Sequence, residues 1–420
     1  MSDSSQEIRI DDLAEPVLTP IQQGARDALA GVEIDLSLDG ILSEAVAQTS
    51  LSDFGDEDFK ERLAVQIQSV EEDTNLGPAG LVGVRRDWVR YAANRLRFED
   101  LLSRHPEILD VEIRQPIIII GLPRSGTTHL LNLIAADQRL RSLPYWESLE
   151  PIPDPREEAG PDGADPRLIR CQQAYEQQIA VMPLLKNMHD MHPSHVHEEI
   201  EVQALDFSSY LLEWIACPPR WRDYYLAHDQ TPHYAYMKKV LQALQWMRGP
   251  DRWILKSPQH LEQIGPLMAT FPDATVALTH RDPVAVIASA ITMLTYGDRV
   301  RCHRVDPPAN AAYWSDRIEA LLRACVRDRD LIPEGQAIDV LFHEFMADDV
   351  AMVERIYQLA DLDMDQGARS SLDAFMAANP RGKHGRIVYD LKRDFGVDPE
   401  ALRERFAFYF ERFPIRSESV

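Results

Sequence analysis

The sequence predicts an α/β fold, a parallel sheet with helices on both faces preceded by a helical extension, and three observations lead there. Four apolar runs recur along the chain: Pro116-Ile-Ile-Ile-Ile120, Arg252-Trp-Ile-Leu-Lys256, Ala274-Thr-Val-Ala-Leu-Thr-His280 and Ala337-Ile-Asp-Val-Leu-Phe342. They are continuous rather than alternating, as strands buried on both faces require. Segments of helical periodicity separate them, and the first run passes through a Gly-containing loop directly into Leu130-Leu-Asn-Leu-Ile134.

In chain order, residues 1–15 are polar and are expected to form a mobile tail. Residues 16–109 read as a helical extension, with Phe59, Leu63, Ile67 and Val70 on one helix face after Asp56-Glu-Asp58, and Trp88, Tyr91 and Leu102 on a second helix. No reactive constellation lies there, so a packing or acceptor-gating role is expected. Residues 110–420 form the main domain. Within it, residues 151–250 separate the first and second strands and are expected to be a helical cap over the acceptor, with Met237, Val240, Leu241 and Leu244 on one helix face. A terminal helix is expected around Pro399 to Phe413.

Bulk properties narrow the function. The 420 residues hold 44 Lys and Arg against 68 Asp and Glu, a formal charge of −24, which excludes a nucleic-acid surface built on bulk positive charge. Much of the excess falls in the first 60 residues, where 14 acidic side chains face Arg9, Arg26 and Lys60. Cys171, Cys217, Cys302 and Cys325 form no C-x-x-C pair, which fits a reducing compartment. With no secretory signal at the N-terminus and no run near the roughly 18 apolar residues of a membrane span, a cytoplasmic protein is expected.

The loop Gly121-Leu-Pro-Arg-Ser-Gly-Thr-Thr128 follows a strand and opens a helix, so its backbone N–H groups would face an anion. A nucleoside-triphosphatase loop needs Lys after the second Gly, and Thr127 stands there; the cation is Arg124, inside the loop. Further on, Asp282 can cap a helix with Pro283 at its first position, bringing Arg281 and Ser289 to one helix start. Lys256-Ser-Pro-Gln-His260 ends the second run. Parallel sheets bind ligands at the carboxyl ends of their strands, so the residues after Ile120, at Lys256 and after His280 are expected to converge.

These motifs resemble the sulfotransferases that use 3′-phosphoadenosine 5′-phosphosulfate (PAPS), in the bacterial branch with a G-L-P-R-[ST]-G-T-T loop, and the likeness covers about residues 110–390. It implies a three-layer α/β fold of the P-loop nucleoside-phosphate-binding type. By resemblance Arg124 neutralises the departing bridging oxygen. Ser125, Gly126, Thr127 and Thr128 hold the 5′-phosphate side, and His129 is carried with them, standing where many cytosolic members have Trp. The R-[DN]-P pattern with Ser eight residues after Arg fits Arg281 and Ser289 and implies the 3′-phosphate site. Arg381, Lys383, His384 and Gly385 resemble the loop that closes over that phosphate, though in a different residue order, and a basic surface loop is the alternative.

Lys256 then stands against the transferring group. His260 is the first candidate for the base that takes the acceptor proton and Glu198 the second, with a helix-capping histidine the alternative for His260. His192, His195, His197, Glu198 and Glu199 form a dense polar cluster, yet no H-E-x-x-H or facial-triad spacing is present and no metal is expected. The implied activity is in-line sulfuryl transfer from PAPS to an acceptor hydroxyl on a small molecule, lipid or glycan, leaving adenosine 3′,5′-bisphosphate (PAP). A phosphotransferase with a degenerate phosphate loop and a non-catalytic binder of PAP are the alternatives. The dimerisation signature of cytosolic members is not evident, which leaves a homo-oligomer open.

Overall fold

The computed structural model of the chain describes residues 7–380 and 385–419. Among these, the strands are β1 (Glu7–Ile8), β2 (Ile117–Gly121), β3 (Leu140–Arg141), β4 (Arg252–Lys256), β5 (Thr275–His280), β6 (Ala337–Leu341) and β7 (Arg386–Ile387). Five of them form the main sheet in the order β3-β4-β2-β5-β6, parallel throughout. The chain begins this sheet near its centre, at β2, builds β3 and β4 on one side, then crosses to β5 and β6 on the other. The order therefore reverses beside β2, at the kind of switch point where open α/β sheets bind ligands.

The three layers follow from β2 itself. Successive strand side chains point to opposite faces, and every residue from Ile117 to Gly121 is buried. Ile118 and Ile120 join one apolar cluster with the extension helices and the helix Thr231–Met247; Ile117 and Ile119 join another with the helices Thr127–Ala135, Asp349–Leu359 and Gln366–Ala378.

The extension forms the helices Phe59–Asp73 and Pro78–Arg104, with the expected Phe59, Leu63, Ile67 and Val70 all buried. It is keyed to the 151–250 segment by ion pairs. Asp206 accepts from Arg62 and Arg95 at 2.7 Å each and pairs with His233 at 2.6 Å, while Arg90 pairs with Glu201 at 3.1 Å. All but Arg90 and His233 are nearly inaccessible, so removing one partner would strand a buried charge.

Two expectations change. The expected mobile tail, 1–15, is ordered over its described part: Glu7 and Ile8 pair in parallel with Arg386 and Ile387, and Ile10 and Leu13 are buried. The expected terminal helix is two short ones, Pro399–Arg405 and Ala407–Arg412, broken at Phe406, whose ring is buried.

Candidate active site

The carboxyl ends of β4, β2 and β5, at Lys256, Gly121 and His280, lie side by side in the sheet. Gly121 sits beside Thr279, and a Cβ built on it would lie 1.9 Å from the Thr279 hydroxyl. After it the chain turns sharply: Arg124 adopts φ 66° and Gly126 φ 90°, and Gly126 caps the helix Thr127–Ala135. Ser125 locks the turn, its hydroxyl lying 2.5 Å from the Leu122 carbonyl and 2.7 Å from the Thr279 hydroxyl. Gly121→Ala is therefore expected to destabilise the protein by about 1–3 kcal/mol through overpacking, visible as a lowered Tm.

Arg124 and Arg281 are joined. The Arg281 guanidinium donates to the Arg124 carbonyl at 2.7 Å, and Arg124 Nε donates to the Ser289 hydroxyl at 2.9 Å. Ser289 in turn donates to the Tyr389 hydroxyl at 2.9 Å, and Arg124 also donates to the Met188 carbonyl. Asp282 caps the helix Pro283–Arg301, accepting from the Val284 N–H at 2.9 Å. Arg281 lies over the Phe342 ring at 4.0 Å and grips Glu418 with two bonds, 2.7 and 2.8 Å. A guanidinium fork gripping a carboxylate in this way is equally suited to phosphate.

On the other side of β2, Lys256 is buried and its ammonium pairs with Glu198. Glu199 bridges two groups at once, accepting from the Lys256 backbone N–H at 2.8 Å and from His260 Nε2 at 2.6 Å. The other ring nitrogen, Nδ1, is hydrogen-bonded to the Tyr234 hydroxyl at 2.7 Å. His260, Glu199 and Tyr234 are all buried, and both ring nitrogens of His260 are committed. Glu198 retains 13 % exposure.

Above these lie His189, His195 and His197, with ring centroids 6.2–6.5 Å apart, and Tyr145 edge-on to His197 at 4.8 Å. Burial, with Lys256 alongside, pulls His195 down to about 4. The same causes, with His195 also acting, hold His189 and His197 well below the usual imidazole range, so all three rings are neutral at pH 7. Among the described residues no three His, Cys, Asp or Glu side chains are grouped to hold a metal ion.

The sequence model of the Sulfotransferase family matches residues 116–366, which span β2 to the start of the helix Gln366–Ala378. The chain belongs to the sulfotransferase family. Among solved structures it is similar to sulfotransferase STF1 from Mycobacterium tuberculosis H37Rv, at 27% identity over 89% of this chain and 98% of that one, with a TM-score of 0.78. It is similar also to sulfotransferase STF9 from Mycobacterium avium, at 25% identity over 93% and 100% of the two chains, TM-score 0.81. No curated protein matches. In this sulfotransferase no helix among the described residues is long and apolar enough to cross a membrane.

The sulfotransferase fold thus brings Arg124 and Ser125 together with Arg281 and Ser289, two segments that the sequence separates by more than 150 residues. It does not bring His129 to them: that ring pairs with Asp349 at 2.8 Å and packs beside Phe345. Gly385, at φ 86°, adjoins β7, while Arg381, Lys383 and His384 lie outside the described residues. Sequence reasoning missed several neighbours of the site residues, among them Met188, Tyr389, Phe342, Tyr234, Tyr145, His189 and Glu418. None lies in a motif, and each reaches the site only through the packing of a distant segment.

Proposed function

We propose that the chain transfers a sulfuryl group from PAPS to an acceptor hydroxyl, with Glu198 as the base. The observation that carries this is the pairing of two anion-directed loops, Arg124 with Ser289 and Arg281 with the Arg124 carbonyl, beside a Lys256–Glu198 pair. The residues fit an adenosine carrying two anionic ends. Glu418 already places a carboxylate on Arg281, and at Gly126 a Cβ would come within 3.3 Å of the Phe342 ring, so the turn suits a residue without one. Arg281 and Ser289 would hold the 3′-phosphate; Arg124, the loop amides, Thr127 and Thr128 would hold the 5′ end.

The donor supplies an activated sulfuryl group on a phosphate leaving group. The chain's own work is to position, to supply positive charge and to take a proton. With the donor bound, Arg124 would supply positive charge to the leaving oxygen and Lys256 to the transferring group. Glu198, paired with Lys256 and still accessible, accepts the proton of the incoming hydroxyl. This assignment moves the base from His260 to Glu198, because a ring bonded at both nitrogens has no free lone pair for an acceptor. His260 and Glu199 then hold the Lys256 backbone in place. The neutral rings of His189, His195 and His197 and the ring of Tyr145 would line the acceptor side without adding competing charge.

The test is transfer of labelled sulfate from PAPS to a panel of alcohols, phenols, lipids and glycans, paired with binding of PAP and ATP to the same protein. We expect labelled product with at least one acceptor class and a clear preference for PAP over ATP. Equal binding of ATP and PAP, with no labelled product, would overturn the reading.

A further inference from the structure

We infer that Glu418 competes with the donor's 3′-phosphate for Arg281, so that the segment after Phe413 sets how tightly the nucleotide is held; this rests on the donor reading above. The contact is built rather than incidental. Glu418 makes two bonds to Arg281, at 2.8 and 2.7 Å, one to Nε and one to Nη2, the paired arrangement in which a guanidinium takes phosphate. Its backbone is pinned on both sides: its N–H donates to Asp282 at 2.8 Å and its carbonyl accepts from Arg403 at 3.1 Å. Arg403 also pairs with Asp282 at 3.3 Å, so the residue that caps the helix Pro283–Arg301 anchors the segment as well.

The third arm of Arg281, Nη1, is spent on the Arg124 carbonyl. The Nε–Nη2 edge, where a phosphate would take two parallel bonds, is the one that Glu418 occupies. A phosphate arriving there must displace the carboxylate, and a doubly charged phosphate has the larger attraction for the fork. The displaced contact lowers the apparent affinity by the fraction of molecules in which Arg281 is free. Both side chains keep some exposure, 22 % for Arg281 and 30 % for Glu418, which holds the effect to a moderate size. The product PAP carries the same 3′-phosphate as the donor, so the returning carboxylate would also speed its departure.

Binding of PAP and of adenosine 5′-monophosphate, measured by calorimetry on the full chain, tests this in wild type, Glu418→Gln, Glu418→Ala and Glu418→Asp. Removing the charge in Gln or Ala is expected to tighten PAP by about three- to tenfold, the range of a partly exposed charge-assisted pair. The monophosphate, which has nothing to offer Arg281, should bind all four proteins alike. The Asp variant, with its charge retained one methylene short, should fall between. If wild type prefers PAP over the monophosphate and the Gln and Ala variants bind PAP no more tightly, the competition does not exist. If no variant, wild type included, prefers PAP, the donor reading itself fails.

Discussion

Arg124→Ala is expected to reduce sulfuryl transfer by about a thousandfold or more, the scale on which a cation aimed at a transferring group acts. The loss should fall mainly on kcat. Arg124 sits at φ 66° between the sheet and the helix Thr127–Ala135, with one arm on Ser289 and another on the Met188 carbonyl. Those contacts aim the guanidinium; they are not a substitute for its charge. Arg124→Lys keeps a cation at the same place but loses the fork, and should retain activity within about tenfold to a hundredfold of wild type. Transfer assays on the three proteins, with Tm as a check on folding, separate charge from scaffold. Full activity in the Ala variant would remove Arg124 from the chemistry.

That the loop could be read at all follows from its being local. Eight consecutive residues carry the turn, the cation and the helix start, and a strand buried on both faces must be apolar throughout, so β2, β4, β5 and β6 lie within one residue of the expected runs. The Arg281 to Ser289 spacing is legible for a similar reason, since Arg281 directly precedes the cap of the helix that carries Ser289. β3 and the β1 with β7 pair are not legible, because two-residue strands have no periodicity to show. Nor is the environment of His260. Whether a histidine after a strand meets solvent or is clamped depends on Glu199 and Tyr234, 61 and 26 residues away, and no local pattern reports that. The helical extension is the same case. Its apolar faces announce helices, but which residues near Glu198 and Glu199 it holds depends on long-range ion pairs, Arg90 with Glu201 and Arg62 and Arg95 with Asp206.

Glu198→Gln should lower turnover by about a hundredfold to ten-thousandfold, the contribution of a positioned base, with PAP binding retained. An amide of the same shape can still accept from Lys256 but holds a proton poorly. Glu198→Ala, which leaves space, should regain part of its turnover when formate or azide is added as a small external base. His260→Ala has a different expected signature. It leaves the Glu199 carboxylate and the Tyr234 hydroxyl short of a partner in a buried place, each worth about 1–3 kcal/mol. The Tm should therefore fall, and activity should fall with it as Lys256 loses its footing. Imidazole should restore stability before it restores rate. The two residues are told apart by which variant loses turnover at unchanged Tm. If Glu198→Gln keeps its rate while His260→Ala loses it without a loss of stability, the proton goes to His260, and the clamp between Glu199 and Tyr234 must open during turnover.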